Sequence, residues 1–338
     1  MTSPFDDARW FPVDLHVPDR EFRFLPIDEG VLERSTFLDN RIDAQLDSAT
    51  PVPLAAIPPQ LPAGRLGWLF HTSFCCSTLL ARALHLAPNQ VVLKEPLLLR
   101  RLGDARHSGW PVDDFLRPVV GLLARPWSAA GSVVIKPTHA ALNIAADLMR
   151  TTPGSRALLL TSSVEDFVVS NIKKAPETQS RIPELAERAL RTCTLAARLP
   201  PAALAPPDLL CAAALQWAAQ RELGADLLRA FGNATLRTLD ASQLLGDPVG
   251  VARVANAWLG EPQLDTALRA RAAAVSTRNA KATAVPYDGK QRERDVMSIR
   301  QRFEAPVGRA LAWYERHVAP SMSAAARDLP AMAPLGAP

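Results

Sequence analysis

Residues 66–84 read Leu66-Gly67-Trp68-Leu69-Phe70-His71-Thr72-Ser73-Phe74-Cys75-Cys76-Ser77-Thr78-Leu79-Leu80-Ala81-Arg82-Ala83-Leu84. Leu66–Phe70 is a short apolar run, His71–Ser77 a polar turn, and Thr78–Leu86 an apolar, alanine-bearing stretch, which together spell strand, loop and helix. The same alternation continues downstream. Val91–Leu93 ends in Lys94-Glu95-Pro96, a helical stretch runs through Phe115–Leu123, and Ser132–Ile135 ends in Lys136-Pro137-Thr138-His139. Ala140–Arg150 is expected to be helical, Arg156–Leu160 a strand and Val164–Lys174 a helix. Asp208–Phe231 is a long amphipathic helix announced by Pro206, Pro207 and Asp208. Thr235–Leu239 is a further strand, and Pro248–Leu259 a helix closed by Gly260 in the left-handed cap conformation. Short apolar strands alternating with helices predict an α/β fold, a parallel sheet flanked by helices on both faces. Ligands of such sheets sit beyond the carboxyl ends of the strands.

Upstream, residues 1–63 are punctuated by proline and read as an irregular N-terminal extension packed on the core, with one short helix near Asp28–Asp47. Residues 64–318 form the α/β domain. Residues 319–338, rich in Ala, Pro and Met, are expected to form a flexible, frayed tail.

Of 338 residues 48% are apolar, enough for a sizeable core, and the net charge is +4. The arginines are spread without blocks of like charge, so no nucleic-acid partner is expected, while the small positive excess suits an anionic small molecule. Four cysteines, Cys75, Cys76, Cys193 and Cys211, fit no zinc spacing and read as reduced thiols. No apolar run approaches a membrane span and no basic-then-apolar leader opens the chain, so a cytoplasmic protein without membrane partners is expected.

The turn carries the chemistry. Backbone N–H groups curling into a helix N-terminus form a nest for an oxyanion. The small side chains of Ser73, Cys75, Cys76 and Ser77 permit close approach, and the Ser77 and Thr78 hydroxyls can donate. The two glycines and Lys of a Walker loop are missing. The plainer reading makes Ser77 and Thr78 N-caps of a core helix and the cysteines packing.

The run HTSFCCSTLLARAL followed by VVLKEP resembles the donor-binding loop of the sulfotransferase family, in a bacterial sulfotransferase-like subgroup. VVIKPTH (Val133–His139) resembles the strand ending in Lys-Thr-His of cytosolic members. ALLLTSSVEDFVVS (Ala157–Ser170) resembles the strand–turn–helix that holds the donor's 3′-phosphate, and RTLDASQLLGDPVGVARVANAWLG (Arg237–Gly260) the late strand, turn and helix. The resemblance covers roughly residues 64–300 in four pieces. It implies a P-loop NTPase-like, three-layer sulfotransferase fold. It also implies transfer of a sulfuryl group from 3′-phosphoadenosine-5′-phosphosulfate (PAPS) to a hydroxyl or amine of a small-molecule or peptidyl acceptor, without a metal, leaving 3′-phosphoadenosine-5′-phosphate (PAP). The chain departs from the family pattern at Phe74, where a Lys or Arg is usual, and at Ser162, where the 3′-phosphate Arg stands. The late Gly-x-x-Gly-x-x-Lys element is absent, Thr277-Arg278-Asn279-Ala280-Lys281 being the nearest stretch.

By this resemblance the donor is held by Thr72, Ser73, Phe74, Cys75, Cys76, Ser77, Thr78, Ser162, Ser170 and Arg278. Glu95, 17 residues after Thr78, matches a carboxylate that accepts the acceptor's proton; otherwise it caps a helix starting at Pro96. His139 is the rival base, set one residue off the family spacing by Pro137. Lys136, or else Lys94, ends a strand where it can replace the missing loop cation. Asp166 suits the turn at Ser162–Ser163. Arg278 is favoured over Lys281 as a cation from the C-terminal loop. Trp217 reads as core, and Trp10, Trp110 and Trp127 either line an acceptor pocket or pack on the core. Two competing readings remain: an ATP- and magnesium-dependent kinase, and a non-catalytic nucleotide-binding or interaction protein of the same fold.

Overall fold

The computed structural model describes residues 3–260 and 264–336. Three strands near the N-terminus, β1 (Trp10–His16), β2 (Glu21–Pro26) and β3 (Thr50–Pro53), form an antiparallel sheet. The central sheet has five strands: β4 (Arg65–His71), β5 (Gln90–Lys94), β6 (Ser132–Lys136), β7 (Arg156–Thr161) and β8 (Leu236–Asp240). Their order is β5-β6-β4-β7-β8, and every pairing is parallel. A small hairpin, β9 (Arg278–Asn279) and β10 (Ala282–Pro286), lies farther along the chain.

The strands bury both faces, as their unbroken apolar runs require. Trp68, Phe70, Val91, Leu93, Val133, Ile135 and Leu159 point into one core; Leu69, Val92, Val134, Leu158 and Leu160 point into the other. The first core is closed chiefly by the long helix Leu209–Phe231 and by Leu97–His107 and Asp113–Leu123. The second is closed by Ser77–Leu84, Pro248–Leu259 and Asp265–Ser276. The chain is therefore an α/β protein with helices on both sides of a parallel sheet. Among the described residues no helix is long and apolar enough to cross a membrane.

Gly67 has a steric reason to be glycine. A Cβ there would lie 2.7 Å from the Leu259 carbonyl oxygen, so the helix Pro248–Leu259 packs directly on the strand backbone.

Five expectations need correction. Residues 1–63 are not irregular: Phe11, Val13 and Leu15 alternate inward against Phe22 and Phe24. Prolines hide this pattern in the sequence, and Pro12 is tolerated because the register shifts between Pro12 and Asp14. The expected helix at Asp28–Asp47 shrinks to Glu29–Arg34, with Asp28 as its N-cap. Gly260 ends its helix at φ −122°, not left-handed; its role is space, since a Cβ would sit 2.0 Å from Gln90 Oε1. The expected tail does not fray up to residue 336: Ala326 and Leu329 are fully buried, and Thr238 of β8 bonds Ala333 O and Leu335 N at 2.7 and 2.9 Å. Covering an exposed sheet edge explains this docking; residues 337–338 lie outside the described residues. Ala140–Arg150 also divides, into a 3-10 turn His139–Ile144 and a helix Ala145–Thr151.

The N-terminal sheet shares the first core. Arg125, fully buried, donates to the carbonyls of Phe5, Asp7 and Trp10. Leu38 N donates to Lys94 O at 2.7 Å and Leu97 N to Leu38 O at 2.9 Å, bringing residues 32–41 to the carboxyl rim of β5.

Candidate anion-binding site

The connection from β4 runs towards β5 on one side, and that from β7 towards β8 on the other. The carboxyl ends of β4 and β7 thus flank the reversal point at which α/β sheets open a crevice. The loop 72–76 leaves β4 there. Thr72 N donates to Leu160 O of β7 at 3.0 Å, and Ser73 N to Gln220 Oε1 at 3.4 Å.

Phe74 and Cys76 adopt left-handed backbone angles, φ 61° and 64°, a conformation costing roughly 1–2 kcal/mol in a residue with a Cβ. Left-handed residues set alternately curl a backbone so that successive amides converge. The helix Ser77–Leu84 begins without a side-chain cap: Cys76 occupies the cap position, its carbonyl accepts from Leu79 N and Leu80 N, and its side chain bonds none of the amides. Ser77 and Thr78 lie inside the helix, so the reading of them as N-caps does not hold. Among the described residues, the amides of Phe74, Cys75, Cys76 and Thr78 meet no protein acceptor. Thr72 Oγ1 and Ser162 Oγ are likewise buried without a partner. Orphaned donors at a helix start suit an oxyanion.

Cys75 turns inward, donating its thiol to Thr72 O at 2.9 Å, and burial pushes its pKa up to about 12. It is a structural thiol. The Cys76 thiol, next to Arg292, is also raised by burial.

Cations surround the loop. Phe74, in place of a loop cation, packs edge-on against Phe167 at 5.2 Å and carries the Lys174 ammonium over its ring at 5.1 Å. Phe37, from the N-terminal extension, has Arg41, Lys136 and Lys281 over its ring at 4.1, 5.6 and 5.9 Å. Desolvation of its ammonium, with Lys174 beside it, lowers the Lys281 pKa to about 8, against the pull of Glu95. The hairpin that bears Lys281 is fastened from below: Arg82 Nε donates to Ala280 O at 2.7 Å and Thr36 Oγ1 to Lys281 O at 3.2 Å.

A buried polar group adjoins the loop. Glu95 follows β5 at φ 58°, its N–H held by Lys136 O at 2.7 Å. Its carboxylate pairs with the fully buried Lys136 ammonium. Burial alone would raise its pKa; Lys136 overrides this and holds it at about 2. His71, the last residue of β4, donates from Nδ1 to Thr72 O at 2.8 Å, leaving Nε2 as a lone-pair nitrogen 3.8 Å from Glu95 Oε1. Desolvation and Lys136 push the His71 pKa down to about 3, and desolvation takes His139 down to about 4. The two imidazole centroids are 6.3 Å apart.

The structure brings Glu95, Lys136, His139 and the loop 72–78 to one rim. Glu95 does not cap the next helix, whose cap is Pro96. Ser162 starts the turn after β7, where Ser163 caps the helix Val164–Ile172 by accepting from Asp166 N; Ser170 is half-buried in that helix. Lys94 is not at the loop: its ammonium donates to Leu32 O at 2.6 Å, beside Glu33, Arg82 and His85. Arg278 and Lys281 are both exposed, but Arg278 bonds Thr283 O in its own hairpin at 3.3 Å while Lys281 lies over Phe37 and near Glu95, so Lys281, not Arg278, adjoins the site. Trp217 is core, donating to Ser162 O. Trp10 stacks on Phe24, Trp127 is buried beside Arg9, and Trp110 is exposed. His71, Phe37, Arg41, Lys174 and Arg292 escaped the sequence reading. Only His71 had a sequence signal, as the polar residue ending an apolar strand.

A cavity of about 600 Å³ opens at the opposite rim, lined among others by Arg65, Arg117, Arg156 and Trp258. The helices Asp113–Leu123, Ala145–Thr151 and Pro248–Leu259 end there. Their negative poles account for the arginines and disfavour an anion.

No protein-family model, curated protein or solved structure matches this chain.

Proposed function

We propose that the chain is a sulfotransferase of P-loop NTPase-like architecture, taking a sulfuryl group from PAPS at the loop 72–78 and passing it to a hydroxyl or amine acceptor. One observation carries the reading: an uncapped helix start with orphaned amides, ringed by Lys136, Lys174, Lys281, Arg41 and Arg292, with a buried carboxylate beside it. Sulfuryl transfer needs positioning and charge stabilisation, and these residues supply both. The amides and the Ser77 and Thr78 hydroxyls orient the phosphosulfate. The acceptor oxygen or nitrogen bonds to sulfur while the sulfur–oxygen bond to the phosphate breaks. The ammonium groups meet the charge growing on the leaving phosphate, and the acceptor's proton passes to Glu95 or to an adjacent imidazole. Ser162 Oγ, buried and unpartnered, is the polar group on offer to the 3′-phosphate.

Calorimetry with PAP and with ATP, each with and without magnesium, tests the reading. Metal-independent binding of PAP supports it. Binding of ATP only with magnesium supports a kinase, and binding of neither leaves a protein that keeps the architecture without the donor.

A further inference from the structure

Resting on that reading, we propose that Glu95 and the bound oxyanion compete for Lys136, so that filling the loop unlocks the carboxylate that later takes the acceptor's proton. Lys136 is fully buried and, among the described residues, its ammonium pairs with one carboxylate, Glu95. A buried ammonium cannot satisfy that carboxylate and a multiply charged ligand equally. The Glu95 backbone stays in place, held at φ 58° with its N–H bonded to Lys136 O. Once the ammonium turns to the ligand, a buried carboxylate remains without its ion pair, which raises its affinity for a proton and leaves it ready for the acceptor's.

The groups facing it are known from every side: His71 from the end of β4, Lys136 from β6, His139 from the 3-10 turn, Lys281 from the β9–β10 hairpin and Arg41 from the N-terminal extension. The two imidazoles are neutral and can share the incoming proton with Glu95. The carboxylate becomes a proton acceptor only after the donor site is filled, so proton removal from the acceptor is tied to donor occupancy.

The test is a double-mutant cycle read by calorimetry with PAP at pH 7, using wild type, Glu95→Gln, Lys136→Met and the double variant. Glu95→Gln is expected to bind PAP about tenfold tighter, the order expected for freeing one paired charge. Wild type takes up a fraction of a proton on binding, seen by repeating the titration in buffers of different ionisation enthalpy; Glu95→Gln takes up less. In the Lys136→Met background the Glu95 substitution no longer tightens binding. Equal or weaker PAP binding by a folded Glu95→Gln protein, or an unchanged gain without Lys136, overturns the proposal. If wild type binds no PAP the transferase reading falls. The same cycle with inorganic pyrophosphate then decides the competition separately, equal affinities again overturning it.

Discussion

Glu95 and Lys136 are joined twice, by the Glu95 N–H to Lys136 O bond of 2.7 Å and by the ion pair of their side chains. The pairing fixes a carboxylate at the carboxyl rim of β5 against the end of β6, next to the loop. If this carboxylate accepts the acceptor's proton, Glu95→Gln lowers kcat by roughly 10²-fold while PAP still binds. Steady-state kinetics with a turned-over acceptor decide it. Undiminished kcat transfers the role to His139 or His71, separable by the same measurement on His139→Ala and His71→Phe.

In the proposed reading the cations around the loop come from separate segments of the chain, which makes them distinguishable. Lys174→Met and Lys281→Met should each weaken PAP binding about tenfold, as expected for losing a charge-assisted contact, whereas Arg278→Met should leave it unchanged. The Lys281 pKa, lowered to about 8, adds a pH signature. Its charge is present below that value and lost above it, so PAP affinity falls as pH rises through about 8, and Lys281→Met removes that fall. Calorimetry between pH 6.5 and 9 reads both. An Arg278 effect equal to that of Lys281 would mean the hairpin is set differently over the loop.

Burial depresses three histidines, His71 and His85 to about 3 and His139 to about 4. Their folded pKa values lie below the unfolded value of 6.5, so between these values the unfolded chain binds more protons. Stability is therefore whole above pH 6.5 and declines as pH falls below it, by up to about 1.4 kcal/mol per unit for each histidine. Urea unfolding at pH 7, 6 and 5 should show the decline. His85 lies outside the loop, its Nδ1 accepting from Val92 N, and His85→Gln should flatten the profile without altering PAP binding. A flat profile in the wild type would contradict the burial of these rings.

The central sheet was legible because its signal is local: Leu66–Phe70, Val91–Leu93, Ser132–Ile135 and Arg156–Leu160 are apolar runs bounded by turns, and each lies within an observed strand. The N-terminal sheet was not, since its alternation is interrupted by Pro12 and Pro26 and its partner β3 is Pro-Val-Pro flanked by Thr50. Among the candidate site residues, Lys136 and Glu95 could be placed at the rim because the first ends a strand and the second directly follows one, though His71, which also ends a strand, was passed over. Lys94 was misplaced by the same rule, as the neighbouring segment with Leu32 captures its ammonium. Phe37 and Arg41 could not be found, because only tertiary docking of Leu38 on Lys94 O brings them to the loop. Lys281 was ranked below Arg278 because the hairpin that lays Lys281 over Phe37 and Arg278 against its own strand has no strong sequence mark.

Two glycines, at Gly67 and Gly246, separate packing from conformational freedom. At Gly67 a Cβ would stand 2.7 Å from Leu259 O and 3.1 Å from Leu259 Cβ, both on the well-packed end of the helix Pro248–Leu259. The obstacle is backbone on both sides, so neither can swing away, and Gly67→Ala must push the helix off the central strand. A loss of about 2 kcal/mol is expected, the usual scale of overpacking. At Gly246, which ends the helix Ala241–Gly246, a Cβ meets nothing within 4 Å and φ is not left-handed. Gly246→Ala should gain a few tenths to about 1 kcal/mol by restricting the unfolded chain. Denaturant midpoints with unchanged slopes measure both. The loop lies at the far end of β4 from Gly67, so PAP affinity of a folded Gly67→Ala protein should match wild type; a matched loss of affinity would show that helix Pro248–Leu259 also sets the position of the loop.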